Sequence, residues 1–178
     1  SIKHLTYSQN GVLADSRWTE GAELVFKKAR AAGIPALLDA DSTPDNQTAK
    51  LVALASHVAF SENGLNAMAA GENVISALKQ VNTDYDAWVC VTQGSKGTFW
   101  MEEDQLKSQP AFSVDVIDTL GAGDVFHGAL IFALADGLSI PEAIKFSSAT
   151  AALKCTQLGG REGIPTREVV ENLIKRNN

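Results

Sequence analysis

Short, mostly apolar runs alternate with segments of helical periodicity along the first half of the chain. Apolar runs of four or five residues are typical of strands, and apolar positions three or four apart are typical of helices. The predicted strands are Gly11–Ala14, Pro35–Leu38, His57–Phe60 and Ala87–Val91. Helices are predicted from Thr19 to the stop signals Gly33 and Pro35, over Asn46–Ala55, and over Glu72–Val81. Strands alternating with helices predict an α/β fold, a parallel sheet with helices on both faces.

The pattern changes in the second half of the chain. Gly97–Met101 and Ala111–Ile117 are predicted as antiparallel strands that the polar stretch Glu102–Gln109 joins. Three helices are predicted after them, over Asp124–Ala135, Ile140–Lys154 and Thr166–Lys175. Ser139 and Glu142 have the spacing of a capping box, and Thr166 is a plausible N-cap. No internal repeat and no interdomain linker interrupts the sequence.

Composition restricts the classes of function. The chain has 178 residues and a formal net charge of −6, with a sequence pI near 5.0. So acidic a chain has no general attraction for nucleic acid or for anionic membranes. No apolar run approaches the roughly 20 residues that span a bilayer, and the first residues do not resemble a signal peptide, so we expect a cytoplasmic protein. Cys90 and Cys155 lie in apolar contexts and are expected to be reduced core thiols, with a disulfide between them the less favoured alternative.

Polar residues follow each of the four predicted parallel strands. The strand ends read Asp15-Ser16-Arg17, Asp39-Ala40-Asp41, Ser61-Glu62-Asn63 and Thr92-Gln93-Gly94-Ser95-Lys96-Gly97. Ligands of open parallel sheets bind outside the carboxyl ends of the strands. The sequence therefore predicts a binding site at this edge.

The segment Asp118–Leu130 is the strongest chemical signal in the chain. Gly121-Ala122-Gly123 opens a helix whose body is apolar on every side, which predicts a buried helix. The N–H groups and the positive dipole end of such a helix form an anion hole, and small residues let a phosphate approach the backbone. Asp124 stands at its mouth, where it could accept a proton from an attacking hydroxyl.

Other interpretations of this segment remain. Asp124 could merely cap its helix, with the glycines forming a tight turn. A dinucleotide-binding turn fits poorly, because the glycines are spaced as Gly121, Gly123 and Gly128 and do not follow a strand directly. The chain contains no Walker A sequence and no Gly-x-Ser-x-Gly nucleophile elbow.

The segment Asp118–Leu130 resembles the second signature of the ribokinase-like (PfkB) family of sugar and nucleoside kinases. Thr92–Gly97 is similar to that family's Thr-x-Gly-x-x-Gly segment, and Gly159–Pro165 resembles its carboxyl-terminal loop. The resemblance implies a ribokinase-like three-layer α/β/α sandwich with a mostly parallel central sheet. It also implies ATP-dependent phosphoryl transfer to a primary hydroxyl.

The resemblance also implies roles for individual residues. Asp124 is the base, Gly121, Ala122 and Gly123 form the anion hole, and Thr92, Gln93, Gly94, Ser95, Lys96, Gly97 and Gly123 contact the nucleotide. Asp118 resembles the ligand of the monovalent cation, K⁺, that many members use. Many relatives carry Asn-x-x-Glu where this chain has Ser61–Gly64, so Gly64 replaces a Glu that organises Mg²⁺. Glu62 could serve for Mg²⁺ from its neighbouring position.

Within the family, several segments resemble sulfofructose kinases: Leu13–Trp18, Ala59–Glu62, Val125–Gly128 and Ala151–Thr156. In those enzymes the arginine matching Arg17 contacts the sulfonate of the sugar. The expected substrate is therefore a ketose such as 6-deoxy-6-sulfofructose, with Asp15, Arg17 and Asp41 as substrate residues. The alternative is that Arg17 is a surface residue or pairs with Asp15 or Asp41.

Members of the family are considerably longer than this chain. We therefore expect residues 1–178 to form the carboxyl-terminal, nucleotide-binding and catalytic portion of a ribokinase-like domain without the lid and most sugar contacts. On this expectation the chain alone is inactive, and its bare apolar surface is compatible with a homodimer. The alternative is a non-catalytic nucleotide-binding or interaction module that keeps the fold.

Overall fold

The computed structural model of the chain describes residues 10–41, 47–69 and 73–177. These residues form six strands, seven α-helices and one short 3₁₀ helix at Gly94–Lys96. The strands are β1 (Val12–Asp15), β2 (Ala36–Ala40), β3 (His57–Ser61), β4 (Trp88–Thr92), β5 (Thr98–Glu102) and β6 (Gln105–Gln109). The helices are α1 (Thr19–Ala32), α2 (Gln47–Val52), α3 (Glu62–Met68), α4 (Val74–Asp84), α5 (Ala122–Ala135), α6 (Ile140–Lys154) and α7 (Arg167–Arg176).

The predicted α/β fold with a mostly parallel sheet is confirmed. The six strands pair in the order β1-β2-β3-β4-β5-β6, and β1 to β4 are mutually parallel. The predicted starts of α2 at Asn46 and of α4 at Glu72 lie outside the described residues. Helix α3 was not predicted, and it begins where the Ser61 hydroxyl accepts a hydrogen bond from the Gly64 N–H.

The described residues divide into two compact units. The first unit runs to Gln93 and includes Phe99–Lys107. Its core is formed by side chains of β2, β3 and β4 together with those of the helices, including the fully buried Phe26, Leu38 and Phe60. Strands covered on both faces need nearly continuous apolar sequences, which explains the composition of β4. Helix α1 ends as predicted at Gly33, whose φ of 66° is easily adopted by glycine.

The hairpin of β5 and β6 corrects one prediction. The residues between these strands are Glu103 and Asp104, with φ of 47° and 61°, as a two-residue hairpin turn requires. The second strand therefore lies at Gln105–Gln109, inside the stretch expected to be a connection. Ala111–Ile117 is not a strand. This segment instead leads to the end of α6, where the Ile117 N–H donates to the Cys155 carbonyl at 2.8 Å.

The second unit comprises Gly94–Thr98 and the chain from Ser108 onward. Helices α5 and α6 pack against each other, and their buried residues include Ala129, Ala133, Ala143 and Ala149, whose small side chains permit close approach. Helix α6 begins with the predicted capping box, because Glu142 Oε2 accepts the Ser139 N–H at 3.0 Å. Helix α5 is only partly buried, since Phe132 is 49% exposed although its neighbours Leu130 and Ala133 are buried.

Both cysteines are free and buried, as predicted. Burial raises the pKa of the Cys90 thiol, which therefore stays protonated at neutral pH. Among the described residues, no helix has the length and apolar character needed to cross a bilayer.

Candidate active site

The carboxyl ends of the first four strands lie side by side at one edge of the sheet. The parallel registers place Asp15 beside Asp39 and Ser61 beside Thr92. The pairing of β2 with β3 continues to Ala40 and Phe60 at the same edge. The polar strand ends that the sequence singled out are therefore brought together, at the edge where open parallel sheets bind ligands.

Arg17 and Asp15 form an ion pair at this edge. Arg17 Nη1 lies 2.6 Å from Asp15 Oδ2, and the Arg17 N–H donates to Asp15 Oδ1 at 2.9 Å. The side chains are 76% and 36% exposed, so the pair itself adds little to stability. The pairing with Asp15 that was considered as an alternative role for Arg17 therefore exists, on a side chain that is exposed to solvent.

The third strand end joins the second through a side-chain hydrogen bond. The Ser61 hydroxyl donates to Asp41 Oδ1 at 2.8 Å and accepts the Gly64 N–H at 2.9 Å. The Asp41 carboxylate is thereby oriented by the residue that begins α3. This hydrogen bond links the last residue of β3 to the residue that follows β2, twenty positions earlier in the sequence.

Gly64 has no room for a side chain. A Cβ at this position would lie 2.1 Å from the Ala40 carbonyl oxygen. The chain therefore excludes a glutamate here with the present backbone. The neighbouring Glu62 is exposed and accepts a hydrogen bond from Gln93 Nε2 at 3.0 Å. Two residues assigned by resemblance, one to Mg²⁺ and one to the nucleotide, are thus in direct contact.

The turn after β4 depends on two glycines. Gly94 and Gly97 have φ of 52° and 96°, and the Gly97 N–H donates to the Gly94 carbonyl at 3.0 Å. A Cβ on Gly97 would lie 2.1 Å from the Gln109 carbonyl oxygen. Ser95 and Lys96 between them are exposed. The backbone of this turn is therefore compact, and a ligand could approach it without obstruction from the glycines.

Helix α5 begins at the glycine-rich turn. Gly121 has φ of 73°, and the first hydrogen bond of the helix runs from the Val125 N–H to the Gly121 carbonyl at 2.9 Å. The N–H groups of Gly123 and Asp124 precede that bond and have no acceptor within the helix. Apart from its chain neighbours and the backbone of its own helix, no described residue has an atom within 4 Å of a Cβ built on Gly123. An anion could reach these donors at the positive end of the helix dipole.

The Asp124 carboxylate lies over this first turn. An ideal Cβ on Gly121 would be 3.9 Å from Asp124 Oδ2. Asp124 is exposed, and within the described ranges its carboxylate makes no hydrogen bond or ion pair. An aspartate that served as a cap would bond to backbone N–H groups of the first turn. The geometry therefore favours a carboxylate available to accept a proton.

Asp118 precedes the same turn and holds the backbone around it through hydrogen bonds. Asp118 Oδ1 accepts the Leu120 N–H at 2.9 Å, and Oδ2 accepts the Gly159 N–H at 2.8 Å. The Asp118 carbonyl oxygen accepts a hydrogen bond from Lys154 Nζ at 2.9 Å. The two backbone hydrogen bonds, with a further contribution from the charge of Lys154, lower the pKa of Asp118.

A cavity of about 590 Å³ opens beside Asp124. Its walls come from α5, α6, α7 and residues 160–165, and they include the half-exposed Phe132 and the guanidinium of Arg167. Arg167 is held there by Asp136 at 2.9 Å, and its Cζ lies 5.8 Å from the Phe132 ring centroid. A bound molecule in this cavity could present a hydroxyl to Asp124.

Sequence reasoning missed Lys154 and Glu162 as parts of this region. Lys154 is fully buried, although lysine is rarely buried without partners. The available signal was a lone lysine in the apolar run Ala149–Cys155. Glu162 packs against Gly159, where a Cβ would lie 2.5 Å from Glu162 Oε2. Across the described parts of the chain, no three His, Cys, Asp or Glu side chains form a cluster suited to a metal ion.

This chain belongs to the pfkB family of carbohydrate kinases, whose family model matches residues 1–167. Among curated proteins it is 37% identical over 90 residues to ribokinase of Bacillus subtilis, and 36% identical over 124 residues to fructokinase of Vibrio alginolyticus. These alignments cover 51% and 66% of this chain. Among solved structures it resembles Arabidopsis thaliana ribokinase complexed with ribose and ATP, with a TM-score of 0.81, 26% identity and 93% of this chain covered.

The chain matches only part of each of these proteins. The matched segments span 31% of the Bacillus protein and 40% of the Vibrio protein, and 56% of the solved Arabidopsis chain. The family membership confirms the ribokinase-like identification made from the motifs.

Proposed function

We propose that this chain carries the nucleotide-binding and catalytic portion of an ATP-dependent sugar kinase. We refer to the longer protein in which we place this chain as the complete kinase. The observation that carries the proposal is the Asp124 carboxylate, unpaired within the described residues, over the first turn of α5. Apolar side chains of the second unit are exposed, among them Val116, Ile117 and Leu158. Their exposure supports the proposal that another portion of a longer protein covers them.

The proposed reaction transfers the γ-phosphoryl group of ATP to a primary hydroxyl of the sugar. The hydroxyl oxygen forms the new bond to phosphorus while the bond from phosphorus to the β,γ-bridging oxygen breaks, and ADP leaves. Asp124 accepts the hydroxyl proton as the nucleophile attacks. The N–H groups of Gly123 and Asp124 stabilise the charge on the transferring group, which matters because phosphoryl transfer depends mainly on positioning and electrostatics.

Nucleotide binding is assigned to Thr92–Gly97, together with Gly123. The turn at Gly94–Gly97 exposes its backbone and the side chains of Ser95 and Lys96, which suits contact with a nucleotide. Glu62 fits Mg²⁺, because among the described residues its exposed carboxylate is bound only by Gln93, and Mg²⁺ in such sites needs few protein carboxylates. When bound, Mg²⁺ would neutralise charge on the phosphates.

The substrate is proposed to be a ketose-type sugar that carries an anionic group, such as 6-deoxy-6-sulfofructose. Arg17 would bind that group, with Asp15 and Asp41 at the same strand-end edge. The exposed guanidinium supports this assignment, and Asp15 orients it through one contact while it accepts the backbone N–H of Arg17 through another. The similarity to fructokinase is in keeping with a ketose.

The test of the proposal is a coupled ADP-release assay on the complete kinase with fructose and sulfofructose. Sugar-dependent ADP release that Asp124→Asn slows by about 10² to 10⁴, while ATP binding persists, is the expected result. Binding of ATP without sugar-dependent turnover in the complete kinase would overturn the proposal and favour a nucleotide-binding module.

A further inference from the structure

Lys154 places a buried positive charge directly behind the turn that leads to α5. Its side chain is fully buried at the last residue of α6. Lys154 Nζ donates to the Asp118 carbonyl oxygen at 2.9 Å. A buried ammonium is costly unless anionic groups and hydrogen-bond acceptors surround it. The negative end of the α6 dipole lies in the same turn and favours a cation there.

Two carboxylates accompany this ammonium. The positive charge of Lys154 contributes to lowering the pKa of Asp118 and that of Glu162, after the larger contributions of backbone hydrogen bonds in each case. Both carboxylates are tied to the loop after α6, since Asp118 accepts the Gly159 N–H and Glu162 accepts the Arg161 N–H at 3.1 Å. The charges of Asp118, Lys154 and Glu162 therefore interact beside the start of α5, and Gly159 contacts both carboxylates.

The donor set of Asp118 fits a monovalent cation poorly. Its two carboxylate oxygens accept backbone N–H groups, and its carbonyl oxygen accepts the lysine ammonium. A cation coordinated by Asp118 would lie close to the fixed charge of Lys154, and the two would repel each other in a partly buried setting. The role that resemblance gave to Asp118, as a ligand of K⁺, therefore conflicts with the residues present.

We infer that the Lys154 ammonium replaces a monovalent cation in this chain, and that its charge holds the turn before α5 in place without K⁺. Lys154 is a positioning residue, because it contacts Asp118 and acts on the anion hole through the chain from Asp118 to Gly121. The part of this inference that concerns catalysis rests on the proposed function, which uses the same turn. The effect of Lys154 on stability does not depend on the proposed function.

The primary test is the melting temperature of this chain in chloride salts of K⁺, Na⁺ and tetramethylammonium. The ionic strength is held at about 0.1 M, where the screening length is about 10 Å. The variants are Lys154→Ala, Lys154→Met, which keeps the apolar stem, and Lys175→Ala, which removes an exposed lysine from the last turn of another helix. The wild-type chain is expected to melt at the same temperature in all three salts.

The Lys154 variants are expected to melt at lower temperature, and to recover selectively in K⁺. At a K⁺ concentration ten times its dissociation constant, the melting temperature should recover by about 3 to 6 °C. Lys175→Ala should behave like the wild type. A K⁺-selective rise in the wild-type chain would overturn the inference, as would Lys154 variants that respond to K⁺ no more than Lys175→Ala does. If neither Lys154 variant folds in any salt, the wild-type series alone decides.

A second readout separates positioning from general stability. In the complete kinase, wild-type kcat should be the same in K⁺ and in tetramethylammonium. Lys154→Met should lower kcat with little change in KM for ATP, and K⁺ should restore kcat. Loss of kcat that K⁺ does not restore, in a variant that remains folded, would contradict the inference. Absence of kinase activity in the wild type would instead count against the proposed function and leave the melting series as the test.

Discussion

The Arg17 guanidinium and the Asp15 carboxylate are paired two residues apart, at the carboxyl end of β1, with Nη1 and Oδ2 separated by 2.6 Å. The Arg17 N–H donates to the other carboxylate oxygen, so Asp15 orients both the backbone and the side chain. The role of Arg17 therefore has to be decided between two possibilities. A paired arginine could serve the local structure, or it could be held ready to bind an anion.

Arg17→Ala distinguishes these roles in the complete kinase. Arg17 is exposed in this chain, and we expect the bound sugar to bury the contact between its guanidinium and the anionic group in the complete kinase. Removing one partner of a buried charge pair costs about 2 to 5 kcal/mol, which corresponds to about 30-fold to several thousand-fold in affinity. We expect kcat/KM for a sulfonated or phosphorylated sugar to fall within that range, while kcat/KM for neutral fructose is nearly unchanged.

Arg30→Ala is the matched control, because Arg30 lies in the same unit and is also exposed and paired, with Asp86. Arg30→Ala should leave kcat/KM unchanged for both sugars. Equal losses on both sugars in Arg17→Ala would show a structural arginine and would remove the argument for an anionic substrate.

Gly97→Ala should destabilise the chain. The φ of 96° is strained for an L residue, and the new Cβ would lie 2.1 Å from the Gln109 carbonyl oxygen. The backbone conformation alone costs about 1 to 3 kcal/mol. Urea denaturation measures the change in the free energy of unfolding.

Gly128→Ala is the control for this substitution. Gly128 is helical and exposed, and nothing lies within 4 Å of the Cβ that would be added. Alanine should therefore leave stability unchanged or raise it by up to about 1 kcal/mol. Equal urea midpoints for the two variants would show that the turn tolerates a side chain.

Asp118 should make the stability of the chain sensitive to acid. Hydrogen bonds from the Leu120 and Gly159 N–H groups, aided by Lys154, lower its pKa in the folded state below the ordinary value of 3.8. The folded chain then binds fewer protons than the unfolded chain between the two pKa values. This stabilisation is complete above the unfolded pKa and is lost as pH falls through the folded pKa.

Asp118→Asn should therefore flatten the loss of unfolding free energy on acidification below the unfolded pKa. The control is Asp115→Asn, an exposed carboxylate in the same segment. Urea denaturation at a series of pH values makes the comparison. Parallel pH profiles for the Asp118→Asn variant and the wild type would mean that these hydrogen bonds do not favour the charged form.

Strands β1 to β4 and the polar residues at their carboxyl ends could be predicted from the sequence. Both rest on local signals, namely hydrophobic periodicity and the polar residues that follow each strand. Asp15, Asp39, Ser61 and Thr92 meet since parallel pairing brings successive carboxyl ends to one edge. The capping box at Ser139 and the stop at Gly33 were likewise local.

Features that depend on distant partners were not predicted. The alternating sequence of Ala111–Ile117 looked like a strand, but its end is held by the Cys155 carbonyl, and no local rule shows that acceptor. The Glu103–Asp104 turn has no glycine to mark it. The contact of Lys154 with Asp118 spans 36 residues and joins a helix end to a loop, so periodicity carries no trace of it.

The isolated 178-residue chain is expected to bind ATP weakly and to show no sugar-dependent turnover. Holding the hydroxyl in line with the γ-phosphate can supply about 7 to 11 kcal/mol of barrier lowering. Most of that contribution depends on the sugar contacts that we place outside this chain. Purified chain in the ADP-release assay gives the measurement, with Asp124→Asn excluding a contaminating kinase. Turnover that disappears in this variant would show that the chain is self-sufficient.

The central claim is that Asp124 is the base of a sugar kinase, and kcat of the Asp124→Asn variant in the complete kinase tests it most directly. A positioned base is typically worth about 10² to 10⁴ in rate. We predict a loss of that size, with the dissociation constant for ATP and the melting temperature close to those of the wild type, and with Asp115→Asn fully active. Wild-type kcat in Asp124→Asn would contradict the account and reduce Asp124 to a residue of the first turn of α5.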